Sequence, residues 1–209
     1  MTSDRFFTQE ENDRIEACIK KTEACTSGEI AVIIVDESDP YPEAALLGGL
    51  LGGVLSALMM TDLLFHDSIW IFIPLSFCFF FPFHLLTARI PNLKSYFLSM
   101  KRKEERVRNR ALQAFYHKGL YKTKDQTAVL FFLSLLERKV WVLADQGIHQ
   151  KTDQATLNDF ARIVTKGIQE GQAGQALCQA IEGIGRLLAE HFPCLPDDTD
   201  ELPDRVMTD

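Results

Sequence analysis

Glu29, Asp125, Asp145 and Asp153 are the side chains of this sequence best placed to do chemistry. Each falls at an end of a predicted strand or in an adjoining loop, where distant parts of a chain can be brought together. Carboxylate oxygens converging at about 2.0–2.6 Å hold a hard divalent cation such as Ca²⁺ or Mg²⁺. Such a cation activates a water or polarises a phosphoryl oxygen. The same residue types at loop starts also serve as helix caps and turn residues, so position alone leaves both roles open. No G-x-S-x-G elbow, phosphate-cradling glycine loop or C-x5-R sequence accompanies them. The histidines at 66, 84, 117, 149 and 191 are scattered without ligand spacing. Cys18, Cys25, Cys78, Cys178 and Cys194 form no C-x-x-C pair and are odd in number, which reads as reduced thiols and neither a disulfide framework nor a zinc site.

The elements that must position these residues can be read in order. Thr8-Gln9-Glu10-Glu11 has the form of a capping box and predicts a helix from about Gln9 to Cys25, broken by Thr26-Ser27-Gly28. Ile30 to Val35 is an unbroken, mostly β-branched run, the pattern of a central strand covered on both faces. A long basic helix is expected from about Leu93 to His117, with Gly119 as its stop. Ala128 to Leu136 and Val140 to Ala144 read as two antiparallel strands joined by a tight turn at Glu137-Arg138-Lys139. Two amphipathic helices follow, with Asp153 as a possible cap and Gly171 between them. The fold class is therefore α/β: a small mixed sheet covered by helices, with the first strand joining the later ones after a crossover.

That crossover contains the most apolar part of the chain. Ala44 to Thr61 has no ionisable side chain and Ser68 to Ala88 has only His84, so these stretches reach about 27 Å and 31 Å as helices, against a hydrocarbon core of about 30 Å. A transmembrane helical hairpin inserted in one domain is the expectation. Four segments result: residues 1–43 as the first part of the α/β domain, 44–88 as the hairpin, 89–192 as the basic helix and remainder of the domain, and 193–209 as an acidic, proline-containing tail. Gly48 and Gly52 lie on one small-residue line and Gly49 and Gly53 on another, which allows close helix packing in lipid within the hairpin or against a second protein.

Charge sets the orientation. Residues 1–43 carry 4 basic and 11 acidic side chains, whereas residues 89–124 carry 11 basic and 2 acidic, in a chain of net charge −7. The linker between the spans has no Lys or Arg, so it should face outward and both termini should be cytoplasmic. The first 43 residues are too polar and acidic for a secretion signal. Lys94, Lys101, Arg102 and Lys103 fall within reach of the membrane surface and read as contacts to anionic lipid. The acidic balance elsewhere and the lack of interleaved aromatics argue against a nucleic-acid partner.

Thr26-Ser27-Gly28-Glu29-Ile30-Ala31-Val32 resembles the helix-to-strand entry of the TPM domain family. Lys124-Asp125-Gln126-Thr127-Ala128-Val129-Leu130 is similar to that family's K-D-N-G-V-L-L segment, and Leu136-Glu137-Arg138-Lys139-Val140 to its E-D-R-x-V turn. The internal hairpin resembles that of membrane-bound bacterial members. The resemblance implies an inner-membrane protein acting without turnover, as a binding, assembly or accessory factor for a membrane complex, with lipid and a membrane-protein partner or a second copy as its contacts. Its second implication, the runner-up, is a weak divalent-metal-dependent phosphomonoesterase using Asp125 with Glu29, Asp145 or Asp153. The sequence departs from the family where Gln126-Thr127 follows Asp125 in place of Asn-Gly, and where Asp145-Gln146-Gly147-Ile148-His149 stands for G-Y-G-L-E.

Overall fold

A computed structural model describes residues 2–65, 69–123, 126–194 and 202–208. The chain divides into two compact units, one of residues 1–38 and 104–209 and the other of residues 39–103.

The first unit is built on a sheet. Helix α1 (Gln9–Glu23) starts in the expected capping box, with Thr8 and Glu11 satisfying each other's backbone amides. Strand β1 (Glu29–Val35) is buried along its whole length. It pairs in parallel with β2 (Ala128–Ser134), residue for residue from Glu29↔Ala128 to Val35↔Ser134. Strand β3 (Lys139–Ala144) runs antiparallel to β2. The turn between β2 and β3 spans four residues and not the expected three, and Arg138 takes the left-handed conformation there (φ 52°). The far edge of β1 is covered by β4 (Met207–Thr208), parallel to it with Ile33 opposite Met207. The sheet order is β3-β2-β1-β4, a mixed sheet.

Both faces of that sheet are covered, which is why β1 and β2 are continuously apolar. Ile30, Val32, Ile34, Val129, Phe131 and Leu133 point into one layer with α1, α7 (Gln154–Gln169) and α8 (Ala173–His191). Ala31, Ile33, Leu130 and Phe132 point into the other, against Val107, Ala111 and Phe115. These last three lie on the helix Met100–His117.

The expected single basic helix is in fact two: α4 (Pro91–Tyr96) and α5 (Met100–His117). Ser99 restarts the helix, its hydroxyl accepting the Arg102 amide at 3.3 Å. A short helix, α6 (Gln146–His149), links β3 to α7.

The second unit is a pair of long helices, α2 (Pro42–Phe65) and α3 (Ile69–Arg89), with α4 packed on both. Their pairing is antiparallel, since Gly48 meets Thr87, Gly52 meets Phe83 and Gly53 meets Phe80. Added Cβ atoms would fall 2.1 Å from Thr87 at Gly48 and 2.4 Å from Phe83 at Gly52. All four glycines, Gly48, Gly49, Gly52 and Gly53, face α3, so both small-residue lines are spent inside the hairpin. Outward stand Leu50, Leu55, Met59, Leu63, Trp70, Phe77 and Phe81, all exposed. Pro74 and Pro82 sit inside α3, and Ser76 donates its hydroxyl to the Ile73 carbonyl at 2.7 Å.

Candidate functional site

Glu29 and Asp145 end up at one edge of the sheet, on either side of Ala128. Glu29 opens β1 and pairs with Ala128, and its amide donates to the Thr127 carbonyl at 3.3 Å. Asp145 directly follows β3, and its amide donates to the Ala128 carbonyl at 2.9 Å. Two inter-strand spacings therefore separate them, about 10 Å between backbones. This edge holds the amino ends of the parallel strands, the opposite end from the one where open α/β sheets gather ligands.

The remaining geometry separates the four carboxylates by role. Asp153 is exposed and caps α7, accepting the Thr156 amide at 2.9 Å and its hydroxyl at 2.7 Å. Those bonds, the hydroxyl first, hold its carboxyl below the usual range. Asp145 caps α6 through the Gln146 amide at 2.7 Å, while its Oδ2 is buried with no hydrogen-bond partner among the described residues. Asp125 lies outside the described residues. Among the described residues no group of three His, Cys, Asp or Glu side chains is arranged to hold a metal ion. Among the described residues, Asp153 is committed to a helix cap, Asp145 is half committed to one, and Glu29 stands two strands from Asp145.

A second carboxyl cluster, not anticipated from the sequence, occupies the outer side of β1. Glu23, in the last turn of α1, accepts the Ile30 amide at 2.7 Å. Asp204 lies three residues before Met207, which opens β4. Asp204 is buried, and its Oδ2 lies 3.8 Å from the Lys20 ammonium. Burial pushes the Glu23 carboxyl up to about 9; the Ile30 amide opposes this, while the hydrogen bond to Asp204 and the nearby charges of Glu29 and Asp204 add to it. The raised value favours the protonated form of Glu23 well above the usual carboxylate range. One local signal existed: an acidic residue in a last turn opposes the helix dipole and so needs another reason to be there.

At the opposite, carboxyl end of the parallel strands, Glu137 is buried and accepts the Ser38 amide at 3.0 Å and the Ser134 hydroxyl. Ser38 in turn donates its hydroxyl to Ser134 at 2.8 Å. This chain fastens the exit of β1 to the turn after β2.

In the helical unit, the four basic residues expected at a membrane surface have different environments. Lys94 is buried with its ammonium 5.9 Å from the centre of the Tyr41 ring, and Lys103 is buried with its ammonium 2.7 Å from the Ser95 hydroxyl. Arg102 pairs with Glu43 at 3.2 Å. Lys101 is exposed. His84 stacks on Phe80 with ring centres 5.6 Å apart.

Comparison with known proteins adds three findings. Residues 94–187 match the TPM domain. No curated protein matches the sequence. Among solved structures, the NMR structure of the BA42 protein from the psychrophilic bacterium Bizionia argentinensis has a similar fold, with a TM-score of 0.60 at 20% identity over 98% of this chain and 96% of that one. The matched region runs from within α4 through most of α8, including β2, β3 and the turn between them, and over that stretch the chain is similar to the TPM domain.

Proposed function

We propose that this is a membrane-anchored TPM-domain protein whose sheet unit serves as a binding, assembly or accessory factor for a membrane complex. One observation carries the anchoring: within the most apolar 18-residue stretch of α3 nothing is buried. A soluble protein's core helix would bury such a stretch, whereas lipid takes apolar side chains on every side. At about 36 Å and 32 Å, α2 and α3 are long enough to cross. The basic residues from Arg89 onward and the absence of Lys or Arg between the helices favour a bacterial inner-membrane hairpin with both flanking segments cytoplasmic.

A non-catalytic role is supported by what the carboxylates do. Asp153 and Asp145 cap helices, and burial favours the neutral form of Glu23. The experiment is phosphomonoester hydrolysis by the detergent-purified chain with and without Mg²⁺ or Ca²⁺, run beside affinity capture from the native membrane. No turnover together with a recurrent membrane-protein partner is expected. Metal-dependent turnover abolished by Asp125→Ala would overturn the reading in favour of a phosphatase. Topology is checked by thiol labelling: a cysteine placed at Asp62 should react from outside the cell and one at Thr2 should not.

A further inference from the structure

Two of the five cysteines, far apart in sequence, meet in the fold. Cys18 on α1 and Cys178 on α8 are 160 positions apart, yet the Cys18 thiol lies 3.5 Å from the backbone carbonyl of Cys178. The Cys178 thiol points back at α1, 3.9 Å from the Arg14 carbonyl.

The helices themselves are held close on both sides of this pair. A Cβ added at Gly174 would fall 3.2 Å from Glu11, and one added at Gly185 would fall 1.9 Å from Thr22. Contacts therefore climb together along both helices, from Glu11 and Gly174 through the cysteines to Thr22 and Gly185. This is a parallel, closely packed pair of helices with glycine at the tightest points. A disulfide needs Cβ atoms about 3.5–4.5 Å apart, and two thiols that each reach the backbone of the other's helix beside closely apposed glycines are placed to approach that distance.

We propose that Cys18 and Cys178 are a redox-active thiol pair that closes into a reversible disulfide joining α1 to α8. The oxidant is a low-molecular-weight disulfide of the glutathione class. Cys178, the more accessible of the two, loses its proton and attacks one sulfur, forming a mixed disulfide and expelling one thiolate. Cys18 then loses its proton and attacks the Cys178 sulfur, forming the Cys18–Cys178 bond and expelling the second thiolate. The two protein thiols give up two electrons and two protons, and one disulfide becomes two thiols. A dithiol reductant reverses both steps.

The surroundings set how readily this happens. Burial pushes the Cys18 thiol up to about 12, and the neighbouring Cys178 and Glu182 add to that while Lys21 opposes it. Burial raises Cys178 as well, with Glu182 adding and Arg14 opposing. Thiolate is scarce at neutral pH, so the pair stays reduced in an ordinary cytosol and closes under sustained oxidation.

The test uses the full chain in detergent. Cys25, Cys78 and Cys194 are exposed, and replacing them with Ser leaves only the pair. Incubation with glutathione disulfide should consume both thiols, yield a linked peptide containing Cys18 and Cys178, and produce a faster-migrating band that dithiothreitol abolishes. Between pH 7 and pH 9 the closure rate should rise about tenfold per unit, following the thiolate fraction. The same linked peptide is sought in the wild-type chain, so poor folding of the triple variant leaves the test intact. A stable glutathione adduct on Cys178 without the linked peptide, or links only between chains, overturns the proposal.

Discussion

The carboxyl of Glu23 accepts the backbone amide of Ile30 at 2.7 Å, so the end of α1 caps the start of the strand that follows it. That contact is made by an acid whose folded pKa is raised to about 9 from an ordinary value of 4.5. The folded state therefore holds a proton that the unfolded chain releases between those limits. Stability from this group is complete below about pH 4.5 and is lost as pH rises towards 9. The thermal midpoint of the purified chain should fall by several degrees between pH 6 and pH 9, and Glu23→Gln should flatten that slope. An unchanged slope in the variant would mean that Glu23 is ionised in the fold.

Glu137 holds the exit of β1 through Ser38 and Ser134. Glu137→Ala removes the acceptor and leaves a buried hydroxyl and an amide to be satisfied otherwise, a loss of about 1–3 kcal/mol. Urea denaturation followed by tryptophan emission, with Trp141 on β3 as the reporter, should record a lowered midpoint with an unchanged slope.

Gly52→Leu places a branched side chain where an added Cβ already falls 2.4 Å from Phe83. Gly53→Ala meets the backbone of Phe80 at 3.0 Å, which cannot rotate away as a side chain can. Both should loosen the hairpin and speed protease digestion in mild detergent, whereas Met59→Leu, on the outward face, should not. Equal digestion of all three variants and the wild type would place the glycine lines outside any tight contact.

Trypsin can read the membrane surface directly. In nanodiscs of anionic phosphatidylglycerol, cleavage after Lys101 should be slower than in neutral phosphatidylcholine discs, and salt should restore it. Cleavage after Lys94 and Lys103 should be slow in both, because those side chains are buried. Lys101 cleavage that ignores lipid charge would leave the basic residues as orientation signals alone.

What could be read from the sequence was whatever rested on local chemistry. The Thr8–Glu11 capping box, the apolar runs of β1 and β2, and the stops at Gly119 (φ 75°) and Gly171 (φ 74°) are each decided by a few neighbouring residues. The break before α5 also had a local signal, the Ser99 cap, but the run of basic residues masked it. Strand β4 had none, because two residues that pair with the edge of β1 carry no period. Lys94 and Lys103 read as outward-facing because charges seldom bury, and only the packed unit supplies the Tyr41 ring and Ser95 hydroxyl that receive them. Glu29 and Asp145 do stand at strand ends, but which end of the sheet they reach depends on strand direction, and that is settled by pairing across the whole crossover.

Because β1 and β2 pair in parallel with α2 and α3 between them, the order of synthesis imposes an order of assembly. At about 5–20 residues per second, β1 leaves the ribosome several seconds before its partner does. In that interval both apolar helices emerge, so a hairpin anchored as proposed meets its membrane while the first strand is still unpaired. Insertion of such a hairpin would precede completion of the sheet, and a chain stalled after α3 would present β1 as an open, aggregation-prone edge.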